Sequence, residues 1–106
     1  MTCYLLNAPI LTDLGTFIHS GPLSVEDIQK RLPERWVSAI GHSATAKLIS
    51  AKLGIRVPQN RVEVHMAPGD TALILRLKER LPEGALLDED ALQKVGYEFT
   101  WLERIA

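Results

Sequence analysis

The chain of 106 residues carries one cysteine, Cys3, so it cannot form an intrachain disulfide, a CxxC redox pair or a cysteine-based zinc site. That scarcity fits a reducing cytoplasm. Long apolar runs are missing too. No stretch approaches the roughly 20 residues that span a bilayer, which argues against a membrane partner. Met1-Thr2-Cys3-Tyr4-Leu5-Leu6-Asn7 lacks the basic start and apolar core of a secretory signal. Histidines are few, and His19, His42 and His65 show no HxxxH or HExxH spacing, so no metal and no cofactor is expected. No nucleophile-elbow pattern supports a Ser-His-Asp triad. A surplus of one charge is absent as well: 12 Lys+Arg stand against 13 Asp+Glu, a net of −1. That balance argues against coating long nucleic acid. The length fits a single domain over 1–106.

The charge that is present is unevenly placed. Residues 1–34 carry a net of −2, residues 35–80 a net of +5 and residues 81–106 a net of −4. A basic middle between acidic ends points to a local anion partner.

Element signals interleave. Cys3 to Asn7 reads as a buried strand, and Thr16 to His19 as a second extended piece. Ser24 and Asp27 have capping-box spacing, with Leu23 and Ile28 at the staple positions. The helix they start should stop near Leu32, before Pro33. A second helix is expected from about Ala44 to Leu53, with Ser43 as its N-cap and Gly54 as a left-handed cap. Arg61 to Met66 alternates, Pro68-Gly69-Asp70 is a turn, and Thr71 to Lys78 alternates again, which predicts an antiparallel hairpin. A third helix is expected from Asp88, closed by Gly96. Tyr97 to Arg104 reads as a last strand. The pattern predicts an α/β domain with a mixed sheet of about five strands flanked by helices. The Tyr97/Phe99/Trp101 stripe could stack bases, but core or dimer packing is favoured.

Two constellations carry chemistry. In Ile40-Gly41-His42-Ser43-Ala44-Thr45-Ala46-Lys47, a glycine precedes a helix start whose first turn is built of small residues. Free N–H groups and partial positive charge there suit a phosphate. Thr45 can add a hydroxyl. An ordinary capped helix with a surface histidine before it gives the same residues. The pattern lacks Walker A spacing. The second constellation, Arg76-x-Lys78-x-Arg80-x-x-Glu83, places three cations on one side of a continued strand, where arginine forks can hold phosphate. A solvated strand face fits it equally well. Arg61, on the polar face of the neighbouring strand, could extend the cluster.

Four short motifs in one order carry a resemblance. Leu5-Leu6-Asn7-Ala8, Ile40-Gly41-His42-Ser43-Ala44-Thr45-Ala46, Asn60-Arg61-Val62-Glu63-Val64 and Glu79-Arg80-Leu81-Pro82-Glu83-Gly84 together resemble the small ring nucleases of type III CRISPR immunity. These are known as viral anti-CRISPR proteins and are also carried by bacteria. The resemblance runs from about Tyr4 to about Phe99. It implies a homodimer on a mixed α/β fold, and cyclic tetra-adenylate as ligand. It implies metal-independent cleavage to linear adenylates ending in 2′,3′-cyclic phosphate. His42, Arg80 and Glu83 match the family's catalytic residues. The resemblance places ligand contacts at Asn7, Thr45 and Arg61, and Arg76 falls at a ligand-facing position. Gly41 and Ser43 are expected ligand contacts from the helix-start constellation rather than from the resemblance.

The chemistry agrees with these residues. Attack by the ligand's own ribose 2′-OH needs no protein nucleophile. It needs charge stabilisation on phosphate and a proton for the departing 5′-oxygen. A histidine can supply that proton for about 10²–10⁴-fold. His42 is the expected general acid, Arg80 the phosphate stabiliser and Glu83 an orienting group. A two-fold ring suits a two-fold dimer. The rival readings are a sponge that binds the messenger without cutting it and an interaction protein using its basic segment.

Overall fold

Alternating apolar residues at 71–77 and 97–104 become the strands beside which the rest of the chain is built. The computed structural model describes residues 1–8, 13–78 and 94–106. Along the chain run β1 (Cys3–Leu6), β2 (Phe17–Leu23), α1 (Val25–Arg31), β3 (Val37–Ser38), α2 (Ser43–Leu53), β4 (Thr71–Leu77) and β5 (Tyr97–Arg104). The strands form one mixed sheet in the order β2-β5-β4-β1-β3. β1 runs parallel to both β3 and β4, whereas β5 is antiparallel to β4 and β2. This is the expected α/β class, with two helices among the described residues.

Both sheet faces are buried, by different means. On one face Leu5, Leu73, Leu75 and Phe99 pack against Ile28 of α1 and Ala46, Leu48, Ile49 and Leu53 of α2. Tyr97 and Trp101 join them, so the aromatic stripe is core, with Tyr97 edge-on to Phe99 at 6.0 Å. On the other face Leu6, Ala72, Ile74 and Leu102 are covered by Ala39 and Met66, with Val64 beside them. Val64 and Met66 belong to residues 56–67, which are not a strand, and Ala39 directly follows β3.

Local signals set the helix ends. Ser24 Oγ accepts from the Asp27 N–H at 3.1 Å, and Asp27 returns a bond to the Ser24 N–H at 3.4 Å. α1 stops at Leu32, which is extended ahead of Pro33. α2 ends at Gly54 with φ 67°, as expected.

Three expectations are corrected. The hairpin between 61–66 and 71–78 does not form, because β1 and β5 already occupy both edges of β4. Val62 then stays 49% exposed while Met66 falls to 1%. The extended piece at 16–19 continues to Leu23 through Gly21 and Pro22, with a register shift between Ser20 and Leu23. An edge strand tolerates this, since the proline leaves no inner ladder bond unmade. The N-cap of α2 is His42, not Ser43. The helix expected from Asp88 falls largely outside the described residues.

One sheet end is tied by two side chains. Asp70, buried in the turn before β4, accepts from the Thr2 and Ala67 N–H groups, each at 2.8 Å. The Arg104 guanidinium donates to the carbonyls of Leu14 (3.0 Å), Ala106 (3.2 Å) and Met66, and lies over the Phe17 ring.

Candidate functional site

Because β1, β3 and β4 are parallel, their carboxyl ends emerge at one edge of the sheet. In open α/β sheets that edge is where ligands bind. Asn7 follows β1, the Ile40-Gly41-His42 turn follows β3, and Lys78 follows β4. The turn leads directly into α2.

The start of α2 is open. His42 is extended (φ −122°, ψ 128°) and makes no side-chain cap bond, and no acidic residue sits in the first turn. The first-turn N–H groups therefore have no side-chain acceptor from the cap, as an anion site requires. His42 and Ser43 are both exposed.

Side chains, rather than a strand ladder, hold the Gly41 peptide groups. The Gly41 N–H points to Asn7 Oδ1 at 3.5 Å, and Gln59 Nε2 donates to the Gly41 carbonyl at 3.0 Å. Asn60 donates its backbone N–H to the Ile40 carbonyl at 2.8 Å and its side-chain amide to the Ser38 carbonyl at 2.7 Å. Arg61 lies alongside Gly41, with Cγ 3.5 Å and Nε 3.8 Å from where a Cβ would stand. Among the described residues, nothing requires glycine at 41. Its φ is not in the left-handed region, and a Cβ would meet only ordinary contacts. Among the described residues, only Arg61 borders the space a side chain would fill.

The residues singled out in the sequence are thus divided. Asn7, Gly41, His42, Ser43 and Arg61 gather at this edge. Thr45 is 1% exposed, on the core side of α2. Arg76 projects from β4 on the opposite sheet face from α2. Its Nη1 lies 3.5 Å from Glu98 Oε1, and it lines a cavity of about 310 Å³ with His19, Ser20, Gly21, Pro22 and Thr100. Lys78 comes after the last strand residue and lines a neighbouring cavity with Lys52 and Tyr97. Arg76 and Lys78 therefore do not share one strand face. Arg61 is not on a paired strand, as expected from its alternation, but on the segment that crosses Gly41. Arg80 and Glu83 lie outside the described residues. Gln59 escaped the sequence reading entirely. Asn60 stands in one of the quoted motifs without a role.

Among the described residues no cluster of three His, Cys, Asp or Glu could hold a metal ion, and no helix is long and apolar enough to cross a membrane.

A mixed five-stranded sheet, helices on one face and an uncapped helix start at the parallel strand ends define a small α/β protein with a site at its carboxyl edge. Residues 3–99 match the STIV B116-like family, and the chain belongs to it. It is 35% identical to protein 26 of Sulfolobus islandicus filamentous virus, covering 93% of this chain and 87% of that one. It is 38% identical to the ORF117 protein of Acidianus two-tailed virus, over 96% and 92% of the two chains. The YddF protein of Bacillus subtilis is 33% identical over 94% of each, so the relatives are viral and bacterial. The fold matches B116 of Sulfolobus turreted icosahedral virus with a TM-score of 0.70 and 28% identity, over 97% of this chain and 99% of that one.

Proposed function

We propose that the chain is a metal-independent phosphodiesterase that cleaves cyclic tetra-adenylate to linear adenylates with 2′,3′-cyclic phosphate ends, and so silences type III CRISPR signalling. The observation that carries this reading is the start of α2 without a side-chain cap, with His42 at its threshold, Asn7 and Arg61 beside it, and a glycine that no described residue requires. A phosphate seated on the first-turn N–H groups lies within reach of the His42 imidazole. His42 then protonates the departing 5′-oxygen as the P–O5′ bond breaks, while the neighbouring ribose 2′-OH bonds to phosphorus and gives up its proton to water. Arg61 holds phosphate beside Gly41. Arg80 and Glu83, matched to the ring-nuclease motif, supply charge stabilisation and orientation. The four phosphates are two-fold related, so a homodimer presenting two such edges is the working unit, acting in the cytoplasm where the messenger is made.

The test is incubation with cyclic tetra-adenylate in EDTA, followed by chromatography. The wild-type protein is expected to yield linear products with cyclic phosphate ends, and His42→Ala to lose at least about 10²-fold in rate. Intact ligand retained by the wild-type protein would mark a sponge. Turnover by His42→Ala at the wild-type rate would remove His42 from the chemistry.

A further inference from the structure

Residues 57–61 form a strap whose contacts converge on the two peptide groups before His42. Its base is anchored on both sides. The Val57 N–H donates to Ser50 Oγ of α2 at 2.9 Å, and Ser38 Oγ of β3 donates to the Pro58 carbonyl at 2.6 Å. Asn60, half-buried, bonds the carbonyls of Ser38 and Ile40. Gln59 then reaches out, exposed to solvent, and its Nε2 donates to the Gly41 carbonyl. That carbonyl belongs to the peptide linking Gly41 to His42. It lies outside any sheet ladder, and the helix bonds of α2 begin only with the His42 carbonyl, which accepts from Ala46.

From this we infer that Gln59 is a positioning residue for His42: its side-chain amide, carried on the Asn60-anchored strap, fixes the plane of the Gly41–His42 peptide and with it the direction of the imidazole. The inference rests on the reading of His42 as general acid. His42 is extended and its side chain makes no cap bond to the helix. With Asn7 on the Gly41 N–H and Gln59 on the Gly41 carbonyl, the residue before the acid is held from two sides. Orientation of a proton donor matters because a misplacement of about 1 Å can cost about 10²-fold in rate. Gln59 itself is exposed and buries little, so its removal leaves the core intact.

The variants are Gln59→Glu and Gln59→Lys. Glutamate keeps the shape but can only accept, so it repels the Gly41 carbonyl. Lysine restores a donor. In EDTA with cyclic tetra-adenylate, Gln59→Glu is expected to lower kcat about tenfold with KM within about twofold, at unchanged thermal midpoint. Gln59→Lys is expected to recover most of the rate. In ¹H–¹⁵N spectra of the free protein, the Gly41 and His42 amides of Gln59→Glu are expected to shift and broaden while those of β4 and β5 hold still. Unmoved Gly41 and His42 resonances would overturn the inference whatever the activity. A loss carried by KM would overturn it too, assigning Gln59 to ligand contact, as would a Gln59→Lys protein as slow as Gln59→Glu. A wild-type protein that leaves the ring intact would sink the functional reading alone, since the resonances still decide the positioning.

Discussion

Gly41→Ala separates what the fold needs from what a ligand needs. The added Cβ would stand 3.5 Å from Arg61 Cγ and 3.8 Å from its Nε, ordinary contact distances, and the backbone at 41 is not left-handed. Where the native conformation suits alanine, replacing glycine narrows the unfolded ensemble and stabilises by about 0.4–1 kcal/mol. For a domain near 100 residues, that raises the thermal midpoint by roughly 2–8 °C. Function should move the other way. The methyl occupies the approach to the first turn of α2, and displacing a bound phosphate by about 1 Å can cost about 10²-fold. The assay pairs a calorimetric scan with turnover of cyclic tetra-adenylate in EDTA. Gly21→Ala is the contrast, because φ is +141° there and a Cβ would lie 3.2 Å from the Phe99 carbonyl oxygen and Thr100 Cα. That variant is expected to lose stability. A destabilised Gly41→Ala would refute the conformational reasoning, and wild-type turnover would refute the claim that the glycine exists for the ligand.

Two further outcomes follow from the fold. Ser24→Ala removes the cap bond to the Asp27 N–H and one side of a closed capping box, so it is expected to cost about 1 kcal/mol in urea unfolding; an unchanged midpoint would mean the box adds nothing to α1. Burial pushes the Cys3 thiol up from its ordinary 9.0, opposed by a weaker hydrogen bond with Thr71. The folded state thus keeps the proton after the unfolded chain has lost it, so stability is intact below about pH 9 and falls as pH rises beyond it. Urea midpoints across that range should fall more steeply for the wild-type chain than for Cys3→Ala; equal slopes would assign the alkaline loss to other groups.

The features readable from sequence were those decided within a few residues or by strict alternation. Ser24 with Asp27 closes within one turn, Gly54 caps α2 by its own conformation, and β5 follows from alternation over Tyr97–Arg104. The segment 61–66 has equally good alternation, yet its fate depends on competition for β4. Cys3 pairs with Thr71 across the chain, and once β1 and β5 are in place no edge remains. Alternation then serves a different end, turning Val64 and Met66 onto a sheet face without a ladder. At the site, Gly41, His42 and Arg61 could be named because their residue types match the chemistry, and Asn7 because the ring-nuclease resemblance places a contact there. Gln59 could not, because a hydrogen bond from an exposed amide to a carbonyl 18 residues away leaves no periodic trace.

The knot around Asp70 and Arg104 has a practical consequence for handling the molecule. It gathers Thr2, Leu14 and Ala106 at the sheet end where β4 begins, while Gly41 stands beyond the end where β4 finishes. Seven residues of strand separate the two ends by roughly 20 Å. A fluorophore or surface linker attached at Met1 or Ala106 therefore sits on the far side of the sheet from the helix threshold. Immobilisation through either end would leave the carboxyl edge facing solution, free to meet a ligand or a second copy of the chain.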